Sequence, residues 1–404
     1  MKFIEPSWDF RLARTNGRCV NGGASPNMKT PRTNAAAFTV VEMLVVPADP
    51  RGVDSDRPEI PLRDAEMTLD DFPRLLLLEG PTPIQRLHRL ENNLGAEARG
   101  VRLFVKRDDL MGLGGGGNKV RKLEFLLGEA LARGCDTFLT IGARQSNHAR
   151  LSAAACARTG LACELVLADV VPRDDADYRR NGNVLLDELF GATVHAAANF
   201  DEALEVARRR AAELERAGRR PYLVGGGGSS PVGCLGYAAC AREIAAQEAA
   251  LGESFARIVI PNGSSGTHAG LAAGFAAIGE EPSRVKSFTV LAPREDARAA
   301  TLEKARATLD LLQPGAELPD AAIDVSGGQR GAGYGIPTEA GLAAIRLFAR
   351  SEGLLVDPVY GAKAFAGLLA DVREGAFRAG DAVLFLMTGG APGLFAYRSA
   401  FEDA

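Results

Sequence analysis

An α/β protein with two open, twisted, mainly parallel-sheet domains is the fold this chain predicts, on three observations. Short apolar runs alternate with helix-length stretches from about Leu75 onward, the spacing of parallel sheets covered on both faces. Glycine-rich turns follow several of those runs, and open α/β sheets bind ligands at such strand ends. At 404 residues the chain can hold two domains with sizeable cores.

Val101–Val105 reads as a short strand, and Lys122–Arg133 as a helix with Leu123, Leu126, Leu127 and Leu131 on its apolar side. Thr137–Ile141 follows as a strand, Asn147–Thr159 as an alanine-rich helix, and Leu161–Ala168 as a strand. Asn183–Phe190 is helical, Thr193–Ala197 a strand and Phe200–Ala217 a long helix. The alternation continues through strand Pro221–Val224, helix Gly233–Ala250, strand Arg257–Pro261 and a helix from Thr267. Strand Ser287–Ala292, helices Arg294–Leu312 and Thr338–Ser351, and strand Ala382–Met387 complete it. Residues 1 to about 70 differ: Asn-Gly pairs and Pro26, Pro31, Pro47, Pro50, Pro58 and Pro61 punctuate them. Within them Phe38–Val46 alone has strand character.

Composition excludes several classes. Apolar residues are 46%, charged residues 24% and the formal net charge is -4, which gives no reason to expect nucleic acid or an anionic membrane. No apolar run of spanning length occurs, and Met1–Pro31 lacks the layout of a secretory signal. The six cysteines form no CxxC pair and the four histidines show no metal spacing, so buried thiols, no metal and a reducing cytoplasmic setting are expected. The glycine run from Gly112 lacks a GxGxxG with its acidic partner. Asn118 separates Gly117 from Lys119, so no phosphate-loop signature for a nucleotide exists either.

Lys119 is the sharpest chemical candidate. Glycines 114–117 let backbone approach a bulky ligand, and a confined lysine near a helix N-terminus becomes a nucleophilic amine. That suits a Schiff base to pyridoxal phosphate (PLP); a surface lysine is the plain alternative. Lys122 and Arg121 compete as cations, and we expect them on a solvent face. Gln145-Ser146-Asn147-His148 follows a strand and opens a helix, where backbone N–H groups point at an anion such as a substrate carboxylate. Asn147 is placed to donate to a cofactor ring oxygen and Ser146 to touch substrate, although both residues also suit simple capping.

Gly263-Ser264-Ser265-Gly266-Thr267 joins strand to helix with small residues, hydroxyls and free backbone N–H groups. It reads as a phosphate cradle without a lysine of its own, or as a glycine-rich turn. Tyr334 and Tyr360 stand among glycines as pocket walls or proton relays, or else as core aromatics. Thr388, before Gly389-Gly390, is placed to meet a ring nitrogen.

These segments together resemble the D-cysteine desulfhydrase and 1-aminocyclopropane-1-carboxylate deaminase family of fold-type II PLP enzymes, whose architecture is tryptophan synthase β-like. The resemblance rests on Lys106–Leu110, Gly116–Lys119 with Arg121–Glu124, Gln145–His148, Gly263–Gly270, Gly333–Pro337, Asp357–Lys363 and Thr388–Gly390, and runs from about Leu75 to the C-terminus. It implies PLP in the cleft between the two domains, bonded to Lys119, with Asn147 at its ring oxygen and residues 263–267 at its phosphate. It further implies Lys119, Ser146, Tyr334 and Tyr360 as catalytic residues. Substrate contacts are expected from Ser146, Asn147, His148, Tyr334, Tyr360 and Arg144. The expected division is 1–72 as an irregular extension, 73–121 with 231–404 as the larger PLP-binding domain, and 122–230 as the smaller α/β domain. A homodimer is expected.

Departures bear on the branch. The cyclopropane deaminases usually carry glutamine where this chain has His148 and glutamate where it has Gly361; the desulfhydrases usually have threonine at the latter. Ser230 and Met387 also depart from common family residues. Arg144, where the family usually has a small or apolar residue, is a candidate partner for an anionic side group. The expected reaction is β-elimination on a small amino acid, D-cysteine to pyruvate, ammonia and hydrogen sulfide. L-Cysteate sulfo-lyase, 1-aminocyclopropane-1-carboxylate deaminase, racemase and β-replacement activities stay open.

Overall fold

The structure, a computed structural model, describes residues 68–402. The strand expected over Phe38–Val46, Cys19 and most of the expected extension 1–72 lie outside the described residues. Ten strands occur among the described residues: β1 Ile84–Arg86, β2 Arg102–Lys106, β3 Thr137–Ala143, β4 Ala162–Ala168, β5 Thr193–Ala197, β6 Pro221–Val224, β7 Phe255–Asn262, β8 Val285–Thr289, β9 Asp324–Ser326 and β10 Ala382–Leu386. The helices are α1 His88–Leu94, α2 Lys119–Ala132, α3 Asn147–Thr159, α4 Ala176–Arg180, α5 Asn183–Leu189, α6 Phe200–Arg216 and α7 Pro231–Leu251. They continue as α8 Gly266–Ala277, α9 Arg294–Leu312, α10 Glu339–Glu352, α11 Gly361–Glu374 and α12 Pro392–Ala396.

Two sheets form, ordered β1-β2-β10-β7-β8-β9 and β5-β4-β3-β6. All pairings are parallel except β1 with β2 at one edge. The central strands β3 and β10 are buried along their whole length, as strands covered by helices on both faces must be. Their carboxyl ends, with that of β7, run directly into Arg144–Asn147, Thr388–Gly390 and Asn262–Thr267, the loops that build the site.

Most expected elements are present, several with the expected bounds. α11 was not anticipated; Asp357 accepts from the N–H groups of Val359, Tyr360 and Gly361 just ahead of it. The short β1, α1 and β9 also escaped, being too brief to show a period.

α2 corrects a larger expectation. It begins at Lys119, one turn before the expected Lys122, and it is no solvent-faced helix: Arg121 is 2% exposed and Lys122 0%. Tertiary partners explain the inversion. Arg121 donates to Asp108 (3.0 and 2.9 Å) and to Glu243 (2.8 Å), and Tyr237 and Thr82 hydroxyls bond the same Asp108 at 2.6 and 2.7 Å. Lys106 joins through Glu243. Burial pushes the Asp108 carboxyl up, but the Arg121 charge and hydrogen bonds outweigh it and leave it below its ordinary value. Glu124 holds the other side of α2, accepting from Leu77 and Leu78 N–H at 2.8 Å. α7 lies so close that a Cβ on Gly236 would stand 2.1 Å from the Arg121 carbonyl.

Arg121→Met should cost about 3–5 kcal/mol, because it strands the Asp108 charge in the interior. A lowered urea midpoint checks this, and Asp108→Asn added to Arg121→Met should recover part of the loss.

Candidate active site

Lys119 opens α2 straight after the loop Gly114–Gly117, whose four glycines all have positive φ. At Gly116 a Cβ would lie 2.0 Å from the Asp109 carbonyl, so no other residue fits there. The Lys119 side chain is partly accessible. Desolvation first, then the nearby Lys122 ammonium, holds its basicity well below that of an ordinary lysine. The helix N-terminus disfavours the cation further. A less basic, reachable amine results.

The opposite wall is the start of α3. Ser146 caps the helix, its hydroxyl accepting from Ala149 N–H at 3.1 Å. The capping alternative is therefore realised, with the residue still at the cleft. Asn147 Oδ1 accepts from Asn183 at 3.0 Å, which turns its amide nitrogen toward Gly390, 2.8 Å from where a Cβ there would sit. His148 turns the other way: it is 2% exposed and its Nε2 meets the Thr140 hydroxyl at 2.9 Å. Burial and the two lysines hold it neutral, well below its ordinary pKa. Arg144 is also occupied elsewhere, bonding Asp169 with two nitrogens at 3.2 and 2.9 Å. His148 Nδ1 has no hydrogen-bond partner among the described residues.

Gly263–Thr267 forms the floor. Ser265 takes a left-handed φ of 69° and Gly266 starts α8, its N–H donating to the Ser264 carbonyl at 2.9 Å, so the loop delivers a helix N-terminus, which favours an anion. The loop has no lysine, but Lys122 supplies one: its Nζ bonds Ser229 Oγ at 2.8 Å and would stand 2.6 Å from a Cβ on Gly266. Ser264 and Ser229 hydroxyls are 2.7 Å apart, and Asn118 donates to Thr267 Oγ1 at 3.0 Å. A cationic ammonium, hydroxyls and a helix N-terminus around glycines too crowded for side chains are a donor set that fits a phosphate. Lys122 was missed because the helix start was placed at it. Counting from Lys119 instead puts it three residues on, on the same face.

Tyr334 and Tyr360 close the cleft, their hydroxyls 2.6 Å apart. Burial is the main cause that raises Tyr334 to about 12 and Tyr360 well above the ordinary phenol range, so both are neutral. Tyr360 packs on the cradle: a Cβ on Gly263 would reach its ring at 2.9 Å. Lys363 pins the Tyr334 loop through the carbonyls of Arg330 and Gly333 at 2.8 and 3.0 Å. Gly361 carries no carboxylate, and the buried acid beside the pair is Asp357, raised by burial to about 6. Thr388 is 8% exposed and its carbonyl accepts from Asn118 N–H at 3.0 Å, tying strand β10 to the lysine loop.

The model of the pyridoxal-phosphate dependent enzyme family matches residues 75–389. A D-cysteine desulfhydrase of Yersinia pestis is 42% identical over 334 residues, 82% of this chain and 98% of the relative. A 1-aminocyclopropane-1-carboxylate deaminase of Allorhizobium ampelinum is 40% identical over 342 residues, 83% and 99% of the two chains. A solved homologue of that deaminase superposes with a TM-score of 0.72 at 35% identity, covering 82% of this chain and 96% of its own. The site and fold therefore define a PLP-dependent enzyme of fold-type II, with lyase or deaminase chemistry on a small amino acid. The chain belongs to the pyridoxal-phosphate dependent enzyme family, close to the D-cysteine desulfhydrases and 1-aminocyclopropane-1-carboxylate deaminases.

Burial, the first cause, lowers the ligand-free Lys122 ammonium to about 8. Its charge is thus present below that pH and lost above it. Inorganic phosphate should bind the ligand-free protein progressively more weakly as pH rises through about 8. Lys122→Met should weaken binding and flatten that dependence, as titration calorimetry will show.

Proposed function

We propose that this protein is a β-eliminating lyase acting on D-cysteine, releasing hydrogen sulfide, pyruvate and ammonia. Lys119 is the covalent anchor for PLP, and Gly263–Thr267 with Lys122 hold its phosphate. Asn147 and Thr388 are its polar ring contacts. The bound cofactor supplies the electron sink that makes the substrate Cα–H acidic. Lys119, its basicity lowered by desolvation and by the Lys122 charge, takes that proton at Cα. Ser146, with the N-terminus of α3, binds the substrate carboxylate.

The observation that carries elimination of a thiol is the hydroxyl pair of Tyr334 and Tyr360 at 2.6 Å. Both stay protonated, so one supports the other as donor to the departing sulfur. Arg144, engaged by Asp169, favours an uncharged β-group over a sulfonate. The choice of D-cysteine draws on the 42% identical desulfhydrases. Ring opening of the cyclopropane substrate is the second reading, favoured by the 40% identical deaminase and disfavoured by Gly361.

The same proposal assigns 73–121 with 231–404 to the larger domain and 122–230 to the smaller. It is supported by the membership of β3 to β6 in one sheet and the other strands in the second. Five free thiols among the described residues support a reducing compartment.

Assays of D-cysteine, L-cysteine, L-cysteate, β-chloro-D-alanine and 1-aminocyclopropane-1-carboxylate should give the highest kcat/KM with D-cysteine, with equal pyruvate and sulfide. Faster formation of 2-oxobutanoate from the cyclopropane amino acid would replace this reading by the second. Lys119→Ala should abolish both the visible absorbance of the bound cofactor and turnover; retention of either removes Lys119 from its role.

A further inference from the structure

Four consecutive glycines with φ of 58°, 79°, 75° and 133° at Gly114–Gly117 have no intrinsic reason to prefer one path. Something outside the loop must select it. Arg150 is fully buried and makes two bonds to this loop, from Nη1 to the Gly114 carbonyl and from Nη2 to the Gly116 carbonyl, the latter at 2.9 Å. A Cβ on Gly115 would lie 3.1 Å from Nη1, so the guanidinium plane lies against the loop backbone. No carboxylate touches this cation among the described residues: its Nε is unpartnered, as are both oxygens of the buried Asp187 that acts on it from α5. Burial is accordingly the main effect on both groups, lowering Arg150 to about 10 and raising Asp187 to about 8. A buried guanidinium without a contact ion pair is costly. Its two bonds both go to the segment that delivers Lys119.

Arg150 stands on α3 three residues after Asn147 and four after Ser146, hence on the same face. One helix thus carries the cap, the cofactor-facing amide and the clamp on the lysine loop.

We propose that Arg150 is a positioning residue that fixes the glycine loop, and through it the entry point of Lys119, in register with Ser146 and Asn147. The forked guanidinium is required because two carbonyls two residues apart must be met at once. A lysine meets one of them and a methionine neither. The inference rests on Lys119 as the cofactor-bonding amine.

The test uses the full-length holoenzyme as wild type, R150K and R150M, with three readouts. These are backbone hydrogen exchange over Leu113–Asn118, borohydride fixation of the cofactor followed by peptide mapping, and the kcat and KM of the amino-acid reaction. R150M should exchange faster in that segment by roughly 10- to 100-fold, the equivalent of one charge-assisted hydrogen bond. It should also show reduced fixation at Lys119, and kcat should fall further than KM rises. R150K should lie between. Exchange and fixation equal to wild type in a folded R150M overturn the proposal. So does a uniform loss of thermal midpoint with an unchanged loop, which marks a merely structural residue. Should R150M fail to fold, R150K decides alone, and identity with wild type overturns the proposal. Fixation of wild type at a different lysine overturns the underlying reading instead, whatever the Arg150 variants do.

Discussion

The buried ion cluster around Arg121 is the constraint on which the rest of this molecule depends. Arg121, Asp108, Glu243 and Lys106 meet where α2, α7 and β2 come together. Ion pairs in an interior add little net stability, because desolvation consumes most of the Coulombic gain. What they impose is orientation. With Arg121 locked to Asp108 and Glu124 locked to the chain at Leu77 and Leu78, α2 has one permitted rotation about its axis. That rotation sends Lys119 and Lys122 together into the cleft. The charged face of this helix is therefore an alignment device.

Proximity of two lysines then divides their work. The Lys122 charge lowers the basicity of Lys119, and burial acts on both in the same direction. Lys119, at the helix start, is held well below ordinary lysine basicity. Lys122, one turn deeper and hydrogen-bonded to Ser229, keeps its charge through neutral pH. Two identical side chains three residues apart thus differ in basicity through environment alone, which suits the proposed roles of nucleophile and anion partner. The remaining wall, the tyrosine pair, contributes neutral hydroxyls, so the cleft holds its protons in chosen places.

Much of this was legible beforehand. Asn147–Thr159, Thr193–Ala197 and Arg294–Leu312 have in the structure the bounds their periodicity predicts, because amphipathic or alanine-rich stretches between apolar runs have one stable use. The glycine loop is tied to the 263–267 turn through Asn118 and Thr267, and Tyr360 packs on Gly263. The partners of Arg144 and His148 were not legible. Arg144 found Asp169 and His148 found Thr140, and no local pattern announces a partner from another strand or loop. α11 escaped although its signal is local: Asp357 accepts from the N–H of Gly361, the first residue of the helix.

The sequence by itself determined the alternation of strands and helices, the loops at strand ends and the lysine that follows four glycines. All of these are encoded in neighbouring residues, within the reach of hydrophobic period and backbone freedom. Only the tertiary structure decided which cations are buried, which of them lose basicity and which are paired. Such outcomes depend on desolvation and on charges brought close by folding from positions as distant as Arg121 and Glu243.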